Sequence, residues 1–154
     1  MGKIEKRLRN LGYSLPSVVP EGKLKKGVLV GDLYFSSGIG SPSFRGKLGT
    51  DLTVEQGYEA ARECCLHLLA NMKAVVGDLD KVAKVVKLLC MVNSAPNFGE
   101  QPAVANGCTD LLVELYGEEV GKHARSAVGM GALPGNKAVE IEMIAKVSQK
   151  GKRE

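Results

Sequence analysis

The chain has 154 residues and a mass of 16.4 kDa, the size of a single domain with a substantial core. Hydrophobic residues make up 44%, charged residues 25%, and the formal net charge is +4, which is ordinary for a globular protein. Tryptophan is absent and aromatic residues make up only 5%, which disfavours a base-stacking surface. We therefore do not expect nucleic acid as a partner.

Membrane and metal functions are also disfavoured by the sequence. No apolar run reaches the roughly 18 residues that a membrane-spanning helix needs, and the charged start "MGKIEKRLRN" does not match a secretion signal. The cysteines, Cys64, Cys65, Cys90 and Cys108, have no C-x-x-C spacing and no paired histidines. We expect buried reduced thiols, no metal, no organic cofactor and a cytoplasmic protein.

The first third of the chain predicts one hairpin between irregular segments. An amphipathic segment from Ile4 to Leu11 ends at Gly12, and prolines make the next stretch extended. Residues 28–30 and 33–36 then predict two strands, because Gly31 and Asp32 suit a two-residue hairpin turn. Residues 39–51 are rich in glycine and serine and predict a loop.

Two helices flank a buried strand in the middle of the chain. The first helix is predicted to begin at Thr53, with a capping box to Gln56, and to stop at Gly77. The run "KVAKVVKLLCMV" predicts a strand whose end is buried on both faces. The second helix has Pro102 in its first turn and ends before Gly117.

Residues 123–147, "HARSAVGMGALPGNKAVEIEMIAKV", predict a closing hairpin that turns near "LPGN". Strand alternation places Glu140 and Glu142 on one face and their apolar neighbours on the other. The predicted element order describes an α+β layer in which two helices pack on one face of a mixed sheet. Two helices leave the second sheet face uncovered, and we expect a partner subunit there.

Arg125 and the two glutamates of this hairpin admit two interpretations. A guanidinium can form a paired-donor fork with a carboxylate, so Arg125 and Glu140 could form a salt bridge at the sheet rim. Alternatively, Arg125 binds the carboxylate of a ligand while the acid handles a water molecule beside it. The stretches "GIGSPSFRG" and "GMGALPG" lack the context of a phosphate-binding loop.

The segment "ARSAVGMGALPGNKAVEIEMIA" closely resembles the end of the Rid family of reactive-intermediate deaminases, also named YjgF or L-PSP endoribonuclease-like. Supporting matches are "LYFSSG", "VVKLLCMVNSAPNF" and Asn106 near the start of the second helix. The resemblance covers a core of residues 28–147 within a single domain, with residues 1–27 as an N-terminal extension and irregular entry. The stretches "KLGTDLTVEQGY" and "NSAPNFGEQPAVANGCTDLLVE" resemble a divergent side branch.

This resemblance implies a chorismate-mutase-like fold, a homotrimer with pockets between subunits, and hydrolysis of small enamines and imines to 2-keto acids and ammonia. It implies no metal and no organic cofactor. By residue, it implies that Arg125 clamps the carboxylate of a 2-imino or 2-keto acid and that Glu140 positions the catalytic water. Ser37 and Gly38 match the pocket edge, and Asn106 matches the asparagine that heads the second helix.

The sequence also departs from the deaminase pattern. No equivalent of the family's pocket tyrosine stands in "LPSVVPEGK", and Ile39 follows Ser-Gly where glutamine is usual. Ala127 replaces a common cysteine, and His123 stands where proline usually precedes Ala-Arg. Two alternatives to deamination therefore stay open: a non-catalytic trimer that binds small carboxylates for regulation or interaction, and an endoribonuclease, as the older family name suggests.

Overall fold

The structure is a computed structural model that describes residues 1–149. The helices are α1 (Lys3–Asn10), α2 (Val54–Val76) and α3 (Gln101–Gly121). The strands are β1 (Gly27–Val30), β2 (Leu33–Ser36), β3 (Ile39–Gly40), β4 (Val82–Asn93), β5 (Ala124–Met130) and β6 (Val139–Val147). Single 3₁₀ turns at Leu79–Lys81 and Pro134–Asn136 precede β4 and β6. The short strand β3 lies in the segment predicted to be a loop.

All the strands belong to one mixed sheet in the order β1-β2-β6-β4-β5, with β3 added beside β6. The pair β4 and β5 is parallel, and the other pairs are antiparallel. The prediction of a closing hairpin is wrong, because β4 lies between β5 and β6. Helix α3 carries the chain from β4 back to a parallel neighbour, as a parallel pair requires.

The connection from β5 to β6 passes over the end of β4 instead of forming a tight turn. Asn93, at this end, is only 1% exposed. Its Nδ2 donates to Asn136 Oδ1 at 3.1 Å and to the Lys137 carbonyl at 3.2 Å. Its backbone N–H donates to the Ala138 carbonyl at 2.9 Å. The connection runs from β5, on one side of β4, to β6, on the other side. These bonds give backbone carbonyl groups of the connection their hydrogen-bond partners.

The predicted signals at the ends of α2 are confirmed. Thr53 and Gln56 form a reciprocal capping box, with bonds of 2.9 and 3.2 Å between side chain and backbone. Gly77 ends α2 with a positive φ of 86°. Helix α3, in contrast, continues four residues beyond Gly117, whose non-helical φ of 78° and ψ of 174° interrupt it without ending it.

The core lies between one face of the sheet and helices α2 and α3. The buried strand residues on that face alternate along β4 and β6: Val85, Leu88, Cys90, Val92, Val139, Ile141, Met143 and Ala145. Ile4 and Leu8 of α1 join the same cluster. The two long helices cross in backbone contact, since a Cβ on Gly107 would lie 1.9 Å from the carbonyl oxygen of Tyr58.

The opposite face of the sheet has no helix on it in the described chain. It carries Phe35 at 39% exposure and Val128 at 40%, together with Val28 at 47% and Val30 at 63%. A depression of about 370 Å³ on this face is lined by Phe35, Ser36, Lys87, Leu89, Ser126, Glu142, Met143 and Ile144.

None of the helices within residues 1–149 has the length and apolar character that crossing a membrane requires.

Candidate functional site

Arg125 lies on the helix-facing side of the edge strand β5. Its register partner on β4 is Leu88, a fully buried core residue. Arg125 Nη1 donates to Asn106 Oδ1 at 2.9 Å and to Thr109 Oγ1 at 3.0 Å, both from α3. These two bonds use both protons of Nη1. Within residues 1–149 the Nη2 and Nε edge of the guanidinium has no hydrogen-bond partner, and its two parallel donors have the geometry that a carboxylate fork requires.

A third polar side chain, His123, extends this cluster. Its Nδ1 lies 2.7 Å from the carbonyl oxygen of Gly121, and its Nε2 lies 3.0 Å from Thr109 Oγ1. Burial lowers the pKa of His123 below its ordinary value, and the cations Arg125 and Lys84 add to this effect. The hydrogen bond to Gly121 opposes the shift. The ring is thus neutral at neutral pH.

A second group of predicted residues surrounds Glu140. A Cβ on Gly38 would lie 2.9 Å from Glu140 Oε2, so the carboxylate rests against the backbone of the Ser37–Gly38 segment. Ser37 is held by Lys25 and Lys26, because its Oγ donates to the Lys25 carbonyl at 2.5 Å and its N–H to the Lys26 carbonyl at 2.9 Å. The N-terminal extension therefore anchors this edge of the site.

These two groups lie on opposite faces of the sheet. Glu140 is paired with Met91 of β4, and the intervening positions alternate, so Glu140 points away from the helices while Arg125 points toward them. Gly40, directly across from Glu140 on β3, adds no side chain there. The predicted alternative of a rim salt bridge between Arg125 and Glu140 is therefore wrong within one chain.

The cysteines do not form a reactive or metal-binding site in the described part of the chain. All four cysteines are free and buried, as the sequence predicted. Burial raises the pKa of Cys64 well above its ordinary value, and a hydrogen bond with Cys65 together with burial does the same for Cys108, so neither thiol supplies a thiolate. Residues 1–149 hold no group of three metal-ligating side chains.

Sequence reasoning found Arg125 and Asn106 but missed Thr109. The signal was available, because residues three apart on a helix share a face, and Thr109 is three positions after Asn106. The hydrogen bond between His123 and Thr109 was also missed, since the sequence marked His123 only as a departure from the family. Its contact with Thr109 depends on where α3 ends and β5 begins.

Comparison with known proteins agrees with the fold. The family model described as YjgF/chorismate-mutase-like, candidate endoribonuclease, matches residues 5–147. Protein TCP17 of Trypanosoma cruzi is 42% identical over 154 residues, covering 96% of both chains. This chain therefore belongs to the YjgF family, and the resemblance found in the sequence is confirmed. The match begins at residue 5 and so includes most of the N-terminal extension.

Two solved structures of bacterial proteins are similar to this chain over nearly its whole length. The protein Atu1372 from Agrobacterium tumefaciens, of unknown function, is 37% identical, with a TM-score of 0.88 over 94% of this chain and 92% of that one. A candidate endoribonuclease from Shewanella oneidensis is 29% identical, with a TM-score of 0.89 over 95% and 100% of the two chains. The mixed sheet with its helices is thus the chorismate-mutase-like fold of this family.

Proposed function

We propose that this protein is a hydrolytic deaminase of small 2-imino acids and their enamine tautomers, and that it works as a homotrimer. In this proposal Arg125 and Asn106 of one subunit bind the substrate carboxylate. Glu140, Ser37 and Gly38 of a neighbouring subunit complete the pocket. The products are a 2-keto acid and ammonia.

The observation that carries the proposal is the placement of Arg125 and Glu140 on opposite sheet faces of one chain. A ligand held by Arg125 on the helix side cannot reach Glu140 of the same chain. Strand β5 lies at one edge of the sheet, so a second copy can bring its Glu140 group next to Arg125 there. The uncovered apolar face with Phe35 and Val128 supports association of copies, because such a face is stabilised by burial.

The chemistry follows from the two groups. The free edge of Arg125 binds the carboxylate and leaves the adjacent imine carbon as the electrophile. Glu140 accepts a proton from a water molecule as the water oxygen bonds to that carbon. Glu140 returns this proton to the imine nitrogen, which gives a carbinolamine. Glu140 then takes the proton of the new hydroxyl group and passes it to the nitrogen, so that the carbon–nitrogen bond breaks as the carbonyl forms, and the 2-keto acid and ammonia leave. The net reaction consumes one 2-imino acid and one water molecule, and Glu140 ends the cycle as the carboxylate with which it began.

The test uses two variants, Arg125→Ala and Glu140→Gln, that each disable every pocket of a homotrimer. Activity is measured as the acceleration of pyruvate release from 2-aminoacrylate generated by a serine dehydratase. When the two variants are co-expressed, a pocket that combines intact Arg125 from one chain with intact Glu140 from another forms at about a quarter of the interfaces. We expect co-expression to restore about that share of the activity.

Three results would contradict the proposal. Mixed assemblies as inactive as the separate variants would show that the two residues do not meet across an interface. A stable monomer in sedimentation equilibrium at micromolar concentration would show that the protein does not assemble as a homotrimer. Full activity of the Arg125→Ala variant alone would show that Arg125 does not bind the substrate carboxylate. Arg45→Ala is the matched control, since Arg45 is exposed and donates to the Gly135 carbonyl at 2.6 Å.

A second candidate is a non-catalytic protein that binds small carboxylates. The clamp formed by Arg125, Asn106 and Thr109 is complete within one chain, whereas water activation depends on the neighbouring group. A protein that lost the chemistry would keep this clamp. Tight binding of pyruvate in calorimetry, with no acceleration of 2-aminoacrylate hydrolysis by the wild type, would favour this candidate.

A further inference from the structure

A chain of hydrogen bonds connects the guanidinium of Arg125 to the end of α3. It runs from Arg125 Nη1 to Thr109 Oγ1 at 3.0 Å, from Thr109 Oγ1 to His123 Nε2 at 3.0 Å, and from His123 Nδ1 to the Gly121 carbonyl at 2.7 Å. Thr109, His123 and Arg125 are half-buried. The chain begins at the group that the proposed function assigns to the carboxylate and ends at a backbone carbonyl.

The directions of these bonds follow from the chemistry of each group. A carbonyl oxygen only accepts, so Nδ1 of His123 carries the ring proton and Nε2 of the neutral ring is an acceptor. The hydroxyl of Thr109 therefore donates to Nε2 and accepts from Arg125, whose guanidinium only donates. Each hydrogen bond in the chain therefore pairs one donor with one acceptor.

From this geometry we infer that Thr109 and His123 are positioning residues that fix the guanidinium of Arg125 and link carboxylate binding to the protonation of His123. The inference rests on the proposed role of Arg125 as the carboxylate clamp. It assigns a task to His123, and it adds Thr109 to the binding machinery.

The charges around His123 determine the direction of the link. Arg125 faces the ring from β5, and Lys84 acts on it from β4, where its Nζ donates to the Glu119 carbonyl at 2.5 Å. Lys122, the preceding residue, is exposed and pairs with Glu118 at 3.2 Å. The cations disfavour a protonated ring, and a carboxylate bound on Arg125 offsets them. Ligand binding therefore favours proton uptake, and affinity rises as pH falls through the range in which His123 titrates.

The experiment measures the Kd of pyruvate by calorimetry between pH 5.5 and 8 on four variants of the full chain. Thr109→Val removes the hydroxyl but keeps the side-chain shape, and it should weaken binding about tenfold, since a hydrogen bond to a charged group is lost. Thr109→Ser should restore affinity. His123→Gln keeps an acceptor near Thr109 but cannot take up the proton, so its affinity should change less between pH 8 and pH 5.5 than that of the wild type. His67→Gln is the matched control and should keep the wild-type pH profile.

Wild-type affinity in Thr109→Val, or an unchanged pH profile in His123→Gln, would overturn the inference. A second readout needs no ligand. The ¹⁵N shifts of the His123 ring should report the Nδ1–H tautomer, and the pKa of His123 should rise in Arg125→Ala because a neighbouring cation is removed. An Nε2–H tautomer, or an unchanged pKa, would also overturn it. Failure of the wild type to bind pyruvate would instead count against the proposed function, and the ring tautomer would still test the hydrogen-bond chain.

Discussion

Gly38 lies against the carboxylate of Glu140, although the two residues are 102 positions apart in the sequence. A Cβ on Gly38 would lie 2.9 Å from Oε2, 3.2 Å from Cδ and 3.3 Å from Cγ of Glu140. These distances are shorter than ordinary van der Waals contact, so a methyl group at this position must displace the glutamate side chain. The glycine thus leaves room for the acid that we assign to water activation.

Gly38→Ala should therefore reduce turnover without unfolding the protein. The displaced atoms belong to the end of a flexible side chain, so we expect less than ~1 kcal/mol of lost stability. A misplaced water-handling acid should lower kcat by about tenfold or more, with a smaller effect on KM. The coupled 2-aminoacrylate assay and thermal unfolding measure the two effects. Gly22→Ala is the control, because nothing lies within 4 Å of its added Cβ; equal kcat in both variants would contradict the prediction.

Phe35→Asp should prevent assembly while leaving the fold of each chain intact. Phe35 is 39% exposed on the uncovered sheet face, so the folded chain can tolerate a charge there. A contact with other copies would bury that charge at a cost of several kcal/mol. We expect the variant to sediment as single folded chains, with a normal circular dichroism spectrum. Val19→Asp, at a position 67% exposed in the N-terminal extension, should assemble like the wild type. Normal assembly of Phe35→Asp would show that this face is not the interface.

The helices and most strands could be predicted because their signals are local. The capping box of Thr53 and Gln56 and the positive φ of Gly77 involve neighbours in sequence. The order of strands in the sheet is not a local property. Residues 124–147 have the pattern of a hairpin, yet β4 lies between their two strands because α3 returns the chain parallel to β4. The bonds of Asn93 that hold this connection have no sequence signature.

The sequence named candidate site residues but did not predict where they lie relative to one another. The pattern and the family resemblance both named Arg125 and Glu140. The salt-bridge interpretation required the two side chains to meet within one chain, whereas the resemblance implied pockets between subunits. Alternation along a strand predicts which residues of that strand share a face. It does not relate the faces of two strands unless their register on the strand between them is known. That register, Leu88 with Arg125 and Met91 with Glu140, separates the two residues.

Gly107→Ala should destabilise the fold severely, because the added Cβ would lie 1.9 Å from the Tyr58 carbonyl oxygen and 3.1 Å from the Arg62 backbone nitrogen. These are backbone atoms of α2, so relief requires the two helices to separate across a packed core. We expect a loss of about 3 kcal/mol or more, in the range of severe overpacking, measured by urea unfolding. Gly99→Ala, with nothing within 4 Å of its Cβ, should change stability by less than about 0.5 kcal/mol. Similar stabilities for the two variants would contradict the close helix crossing.

The stability of the folded protein should also depend on His123 at mildly acidic pH. Burial, with Arg125 and Lys84 nearby, lowers its pKa in the folded state, whereas the unfolded chain has the ordinary value near 6.5. Above that value both states are neutral at this position, and the residue adds no pH dependence. As pH falls below it, the unfolded state takes up the proton first, so the free energy of unfolding decreases until the folded state is also protonated. One proton sets a limit of ~1.4 kcal/mol per pH unit, and solvent screening of a half-buried ring keeps the slope below it. Urea unfolding of the wild type and His123→Gln from pH 5 to 8 measures the slope of the free energy of unfolding against pH. Between pH 5 and 6.5 this slope should be shallower in the variant. Equal slopes in the two proteins would show that the folded protein does not resist protonation of His123.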